Sequence, residues 1–135
     1  MKTYVLDASA VLDLLENGPG AGRVEQLIAE ADRGENVIAM SVLNWGEVFY
    51  SIWQHHGEDA ARSAIAELSR LPIEIVPVDQ EQALKAGEIK TLHKLSFVDC
   101  VAGSLAELRN STLVTADRDF QKVGRRIRVL WLVRH

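Results

Sequence analysis

The feature that most constrains the fold of this 135-residue chain is a regular alternation of short apolar runs with longer segments of helical period. The runs have the length and the near-continuous apolar character of strands that are covered on both faces. They occupy residues 4–6, 37–40, 73–78, 112–115 and 127–132. Strands that alternate with helices form βαβ units, so the pattern predicts an α/β fold, a three-layer α/β/α sandwich with a mostly parallel sheet of about five strands.

The intervening segments carry the start and stop signals of helices. Ser41 and Asp79 are N-cap residues, and the breaker cluster Asn17-Gly18-Pro19-Gly20 ends the first helix. Pro77 cannot donate to a sheet ladder and is expected to shorten the third strand. These signals predict helices over residues 8–16, 21–33, 41–55, 58–69, 79–93 and from 95 onward.

Length and composition bound the class of protein. A chain of 135 residues fits one domain, predicted over residues 1–135. Its single cysteine, Cys100, excludes an internal disulfide and favours a reducing, cytoplasmic location. No run approaches the ~20 apolar residues of a membrane span, and the N-terminus lacks a signal-peptide pattern, so no membrane association is expected.

The charge distribution is uneven. The formal net charge is −4, which disfavours a protein that binds nucleic acid over its whole surface. From Gln121 onward, however, the chain has five basic residues and no acid: Lys122, Arg125, Arg126, Arg128 and Arg134.

Four carboxylates stand where helices and strands meet. Asp7 and Asp117 follow the first and fourth predicted strands, and Glu47 and Asp99 lie near the starts of helices. In an open parallel sheet, ligands bind beyond the carboxyl ends of the strands, where these four acids can converge. Close carboxylates repel one another, and a divalent cation such as Mg²⁺ removes that repulsion.

Each acid also has a purely structural interpretation. Asp7 can cap a helix, Asp99 lies at the third position after the cap Ser96, Asp117 can belong to a turn, and Glu47 can be solvated. The combination favours a site, because acids embedded among apolar residues are seldom left unpaired.

Four segments together carry a family resemblance. In order and spacing, "YVLDASAVLDLL", "MSVLNWGEVFY", "KLSFVDCVAGSLA" and "LVTADRDF" resemble the acidic motifs of PIN-domain ribonucleases, and most of all those of VapC-type toxins of type II toxin–antitoxin systems. The resemblance spans nearly the whole chain. The ordered set is specific, whereas any one motif is not.

The resemblance implies a set of site residues. Asp7, Glu47, Asp99 and Asp117 match the four family acids, which bind Mg²⁺ or Mn²⁺. By this resemblance Asp7 and Asp99 are the primary metal ligands, Asp117 completes the shell, and Glu47 orients the attacking water or binds a second ion. Accessory candidates are Ser9, Thr115 and Asp119, and Cys100 replaces the usual alanine.

The resemblance also implies function and partners. It predicts a metal-dependent endoribonuclease that cleaves single-stranded or structured-loop RNA by phosphodiester hydrolysis. A cognate VapB-like antitoxin would inhibit it, within a homodimer and a toxin–antitoxin hetero-oligomer. Candidate contacts to the RNA backbone are Arg125, Arg126 and Arg128.

Other functions stay open at the level of sequence. A non-toxin PIN-like nuclease of RNA processing would carry the same acids. A non-catalytic interaction module would use them only as helix caps. A phosphatase with Asp7 as nucleophile, of the haloacid-dehalogenase-like kind, needs a second acid two residues later, where this chain has Ser9.

Overall fold

A computed structural model describes residues 1–133, so Arg134 of the basic C-terminal segment lies outside the described residues. The strands are β1 (Lys2–Leu6), β2 (Asn36–Ser41), β3 (Ile73–Val76), β4 (Thr112–Thr115) and β5 (Val129–Trp131). The α-helices are α1 (Ala8–Leu15), α2 (Ala21–Asp32), α3 (Val42–His56), α4 (Glu58–Leu68), α5 (Gln80–His93) and α6 (Phe97–Leu108).

The five strands form one parallel sheet in the order β3-β2-β1-β4-β5. At its centre, Leu6 pairs with Met40 on one side and with Val114 on the other. The predicted three-layer α/β fold is confirmed, and every strand pair is parallel.

The core lies in two layers, one on each face of the sheet. Leu6 and Val114 face the layer with α1 to α4, whereas Val5 and Leu113 face the layer with α5 and α6. All four side chains are fully buried. Because successive side chains of a strand point to opposite faces, a sheet covered on both faces needs apolar residues at every position. This explains why the strands are continuous apolar runs.

The last two strands differ from the prediction in length and connection. β3 ends at Val76, directly before Pro77, as expected. β5 covers only Val129–Trp131 instead of the predicted 127–132. A 3₁₀ helix (Arg118–Val123), which the sequence pattern did not predict, joins β4 to β5 and is followed by Gly124 with φ 58°. A positive φ there suits glycine, which has no Cβ to clash.

The order of the strands reverses between β1 and β4. β2 and then β3 lie on one side of β1, whereas β4 and then β5 lie on its other side. Such a switch point opens a crevice at the carboxyl ends of the two central strands. Within residues 1–133, no helix is long and apolar enough to cross a membrane.

A buried carboxylate fixes the turn between α1 and α2. Asp13 is 6% exposed and accepts a hydrogen bond of 3.1 Å from the Gly20 backbone N–H. Gly20 lies so close that a Cβ there would stand 2.5 Å from Asp13 Oδ2 and 3.0 Å from Leu132 Cβ. An alanine at position 20 would therefore force the Asp13 carboxylate or Leu132 to shift.

We therefore expect Gly20→Ala to lower the free energy of unfolding by about 1–3 kcal/mol, because the added methyl group overpacks the turn. The matched control is Gly22→Ala in α2, where no atom lies within 4 Å of the added Cβ. This control is expected to leave stability unchanged or raise it by up to ~1 kcal/mol. Urea denaturation of both variants tests the pair. Equal stability of the two would contradict the proposed packing.

Candidate functional site

Asp7 is the anchor of the crevice. It follows β1 directly, is 3% exposed, and caps α1 by accepting a hydrogen bond of 3.0 Å from the Ala10 N–H on Oδ1. Ser9 Oγ donates to the same oxygen at 2.7 Å, and Thr115 Oγ1 donates to Oδ2. The carboxylate thus acts as a helix cap and also joins β1 to the end of β4.

The hydroxyl groups of Ser9 and Thr115 have fixed directions. Ser9 Oγ accepts from the Ala116 N–H and Thr115 Oγ1 accepts from the Asp117 N–H, both at 2.9 Å. A hydroxyl has one proton to donate, and although the two hydroxyl oxygens lie 3.2 Å apart, the shortest contact of each is the one to Asp7. The two predicted accessory residues therefore do lie beside the first acid, and they hold it in one orientation.

Burial opposes the charge of Asp7. It raises the pKa of Asp7 to about 6, against the lowering effect of the hydrogen bonds from Thr115, Ser9 and the Ala10 N–H. The negative charge of Asp117 adds a smaller upward shift. An ionised carboxylate can accept about four hydrogen bonds, so three donors leave one acceptor position open.

Asp99 lies in the first turn of α6, which Ser96 caps through a hydrogen bond of 3.2 Å from the Asp99 N–H. Burial raises the pKa of Asp99 to about 6, and the Ser96 hydrogen bond lowers it. Repulsion from Asp117, Asp7 and Glu47 raises this pKa further. The structure therefore brings the other three sequence-predicted acids within electrostatic reach of Asp99.

Glu47 has a partner that the sequence did not reveal. Asn44 is 1% exposed and its Nδ2 donates to Glu47 Oε1 at 3.1 Å, across one turn of α3. Its Oδ1 is buried without a hydrogen-bond partner among the described residues. The amide therefore limits the orientation of Glu47. The spacing of three residues on a helix was the available signal, but it does not distinguish this pair from any solvated pair.

Asp117 and Asp119 occupy the start of the 3₁₀ helix. Asp117 Oδ1 accepts a hydrogen bond of 2.9 Å from the Asp119 N–H and so caps this helix. Asp119 is exposed, and its charge is not among those that raise the pKa of Asp7 or Asp99. Its predicted accessory role stays a prediction, without support from this arrangement.

The structure does not bring the predicted RNA-contact arginines to the acids. Arg128 precedes β5 and its carbonyl accepts from the N–H of Leu113, near the amino ends of the strands, whereas Asp7 lies at a carboxyl end. Arg126 is held by Glu107 at 2.9 Å and by Glu88 at 2.7 Å. Arg125 belongs to the same segment. The segment that carries these arginines precedes β5. Because β5 runs parallel to the other strands, this segment lies at the amino-end edge of the sheet, opposite the edge where Asp7 lies.

The donor set suits a hydrated divalent cation. Within residues 1–133, none of the four acids forms an ion pair with a Lys or Arg side chain. In the same residues, no three His, Cys, Asp or Glu side chains stand together in a group that could hold a metal ion by themselves. Mg²⁺ retains several water ligands and commonly uses only one or two carboxylates. The open acceptor position on Asp7 and the unneutralised acids around it therefore fit this group.

A search for similar proteins assigns the chain to a family. The PIN domain profile matches residues 4–126, which is most of the sequence. The chain belongs to the PIN-domain family. This confirms the resemblance drawn from the four motifs. No curated protein sequence matches the chain.

Solved structures share this PIN fold at low sequence identity. VapBC2 from Rickettsia felis, bound to a promoter DNA fragment, has a TM-score of 0.78 at 18% identity, over 97% of this chain and 99% of that chain. DNA-bound VapBC from Salmonella typhimurium has a TM-score of 0.76 at 20% identity, over 96% of this chain and 98% of that chain. VapC20 of Mycobacterium tuberculosis, a Sarcin-Ricin loop cleaving toxin, has a TM-score of 0.73 at 21% identity, over 90% of this chain and 95% of that chain.

The raised pKa of Asp7 predicts a pH-dependent cost to stability without metal. Its pKa in the folded state, about 6, exceeds the ordinary value of 3.8, so the folded state binds more protons between these values. The free energy of unfolding therefore decreases as the pH rises through this window. We expect Asp7→Asn to be more stable than the wild type at pH 8 by about 1–3 kcal/mol, with the difference shrinking toward pH 5.

Urea denaturation in EDTA at several pH values measures this difference. Asp119→Asn is the matched control, because that carboxylate is exposed and its removal should leave the wild-type profile in place. An Asp7→Asn protein that is less stable than the wild type at pH 8 would contradict the argument.

Proposed function

We propose that this PIN-domain protein is a metal-dependent endoribonuclease that cleaves single-stranded or structured-loop RNA by phosphodiester hydrolysis. The observation that carries the proposal is the orientation of Asp7. Both hydroxyl protons of Ser9 and Thr115 are directed at its carboxylate, beside acids that no cation of the described chain neutralises. A structural cap needs only the bond from the Ala10 N–H.

The surroundings of each acid suggest a different role for it. Asp7 and Asp99, which are held at two helix starts, would be the main ligands of Mg²⁺ or Mn²⁺, and Asp117 would complete the set. When bound, such a cation acidifies water and neutralises charge on the phosphodiester. Glu47, oriented by Asn44, would position the attacking water and accept its proton.

We also propose that the chain is a toxin of a toxin–antitoxin pair and forms a single domain over residues 1–135. The solved relatives named above include toxin–antitoxin complexes and a toxin. A cytoplasmic location stays a prediction from composition. A non-toxin nuclease of RNA processing would share the same chemistry, and a search for an antitoxin gene beside this one separates the two.

An aromatic surface on α3 supports the proposed homodimer and antitoxin contacts. Tyr50 is 52% exposed and Trp53 is 41% exposed. Phe49 contacts Trp53 edge to face, and Arg62 of α4 lies near both rings. Aromatic residues and arginine are enriched in protein interfaces. Sedimentation equilibrium is expected to show a dimer of the 15.0 kDa chain, and a monomer at high concentration would contradict the homodimer.

The nuclease proposal is tested with single substitutions and a labelled single-stranded RNA. Asp7→Asn and Asp99→Asn are each expected to lower kcat/KM by more than about 100-fold, because even partners outside the metal shell cost 10–100-fold. Asn44→Ala removes no acid and is expected to fall within that smaller range, since Glu47 loses its hydrogen bond. Asp119→Asn serves as the matched control and should retain activity.

Metal binding gives a second readout, independent of cleavage. Millimolar Mg²⁺ or Mn²⁺ is expected to raise the Tm of the wild type, because a ligand of the folded state stabilises it, and to raise that of Asp7→Asn much less. Full cleavage by Asp7→Asn would overturn the catalytic assignment. An absence of both metal effect and cleavage in the wild type would favour the interaction module whose acids only cap helices.

A further inference from the structure

Arg118 stands between two acids in the sequence but is paired with neither. It lies between Asp117 and Asp119 at the start of the 3₁₀ helix, and it is exposed. Within residues 1–133 its side chain makes no hydrogen bond and no ion pair. Its guanidinium instead lies over the ring of Trp131, 4.9 Å from the ring centroid. The aromatic ring therefore fixes the cation and leaves its N–H donors free.

The register of the sheet places this pair beside the acids. Leu6 pairs with Val114, and Thr115 pairs with Trp131 on the next strand. Asp7, Thr115 and Trp131 thus lie at the same level of three adjacent strands. Because strands are spaced by about 4.8 Å, the backbones of Asp7 and Trp131 are about 10 Å apart.

Trp131 acts as a support for Arg118. It is half-buried and packs against the core layer of α5 and α6, which also contains Phe120. The core layer thereby limits the movement of the Trp131 side chain, and the Arg118 guanidinium covers a face of its ring. A base cannot stack on that covered face, so the exposed chemistry of this pair is that of a fixed planar cation.

Most of the other arginines of the described chain are paired, and Arg70 and Arg125, which form no ion pair, do not stack on an aromatic ring. Arg33, Arg62, Arg109 and Arg126 form ion pairs with glutamates. Arg128 donates to Asn110 near the amino ends of the strands. Arg118 combines free donors, a fixed direction and proximity to the four acids.

We propose that Arg118, supported by Trp131, is a phosphate-binding subsite that holds the single-stranded RNA next to the bond to be cleaved. This inference rests on the proposed function. The acids of the crevice repel every phosphate that lies beside the metal-bound one, so the RNA needs a cation close by that is not already paired. A guanidinium offers two parallel N–H donors to one phosphate, which a lysine cannot do.

The test measures RNA binding and cleavage separately. Fluorescence anisotropy with a labelled single-stranded RNA, in a Glu47→Gln background with Mg²⁺, reports binding without cleavage, because this background keeps Asp7, Asp99 and Asp117. We expect Arg118→Ala to raise Kd by about fivefold or more and to reduce the slope of log K against log salt by about 0.7, the value for one phosphate contact of a single strand. Arg118→Lys should recover the slope but only part of the affinity.

The matched control is Arg70→Ala. Arg70 is also exposed and forms no ion pair among the described residues, but it lies in the turn between α4 and β3, away from the crevice. Its removal should change neither Kd nor the salt slope. An effect of Arg118→Ala equal to that of Arg70→Ala would overturn the subsite.

Trp131 is a positioning residue, and its role is measured in the cleavage-competent protein. Trp131→Ala is expected to raise KM severalfold with kcat nearly unchanged, because binding is lost equally from substrate and transition state. Trp131→Phe keeps an aromatic face and should restore most of the loss, whereas Trp131→Leu keeps apolar packing without that face and should not restore it. Equal KM in Trp131→Ala and the wild type would overturn the supporting role.

The outcomes separate the two proposals. Cleavage of RNA by the wild type, with Arg118→Ala behaving like the control, overturns the subsite and leaves the nuclease intact. A wild type that neither binds nor cleaves RNA with Mg²⁺ or Mn²⁺ overturns both.

Discussion

The hydrogen bonds to the Asp7 carboxylate are the interaction on which the site depends. They join the end of β1, the start of α1 and the end of β4 at the one place where the order of strands reverses. Ser9 and Thr115 each use their single proton on Asp7 and their acceptor capacity on the backbone after β4. Removing either hydroxyl would therefore loosen both the first acid and the segment that carries the fourth.

This arrangement lowers the stability of the fold near neutral pH. Burial raises the pKa of Asp7 and that of Asp99 to about 6, so near neutral pH the protein keeps charges that its interior disfavours. The sheet can tolerate this because its central strands are covered on both faces by apolar layers. Sites of function are commonly the places where local stability is lost for chemistry. The open acceptor position on Asp7 and the missing counter-charge are the two features that fit the proposed divalent cation.

Most of the fold followed from the sequence, because the periodicity of apolar residues is a local property. The six helices and β1 to β4 lie where caps, breakers and apolar runs place them, and Pro77 ends β3 as expected. The connection between β4 and β5 did not follow, since a short 3₁₀ helix has no distinctive period and depends on the Asp117 cap and the positive φ of Gly124. Counting basic residues along the sequence did not predict which arginines of the C-terminal segment are available to RNA, because Arg126 is already neutralised by glutamates from α5 and α6.

The sequence by itself determined the strand–helix alternation, the four acids and their order, and hence the PIN-domain family. Only the tertiary structure decided which groups meet. It placed two hydroxyl groups beside Asp7, an unpredicted amide beside Glu47, and Arg118 over Trp131 of the adjacent strand β5. It also moved Arg126 and Arg128 to the far edge. The physical reason is that strand order and register fix which strand ends are neighbours, and distances along the chain do not carry that information.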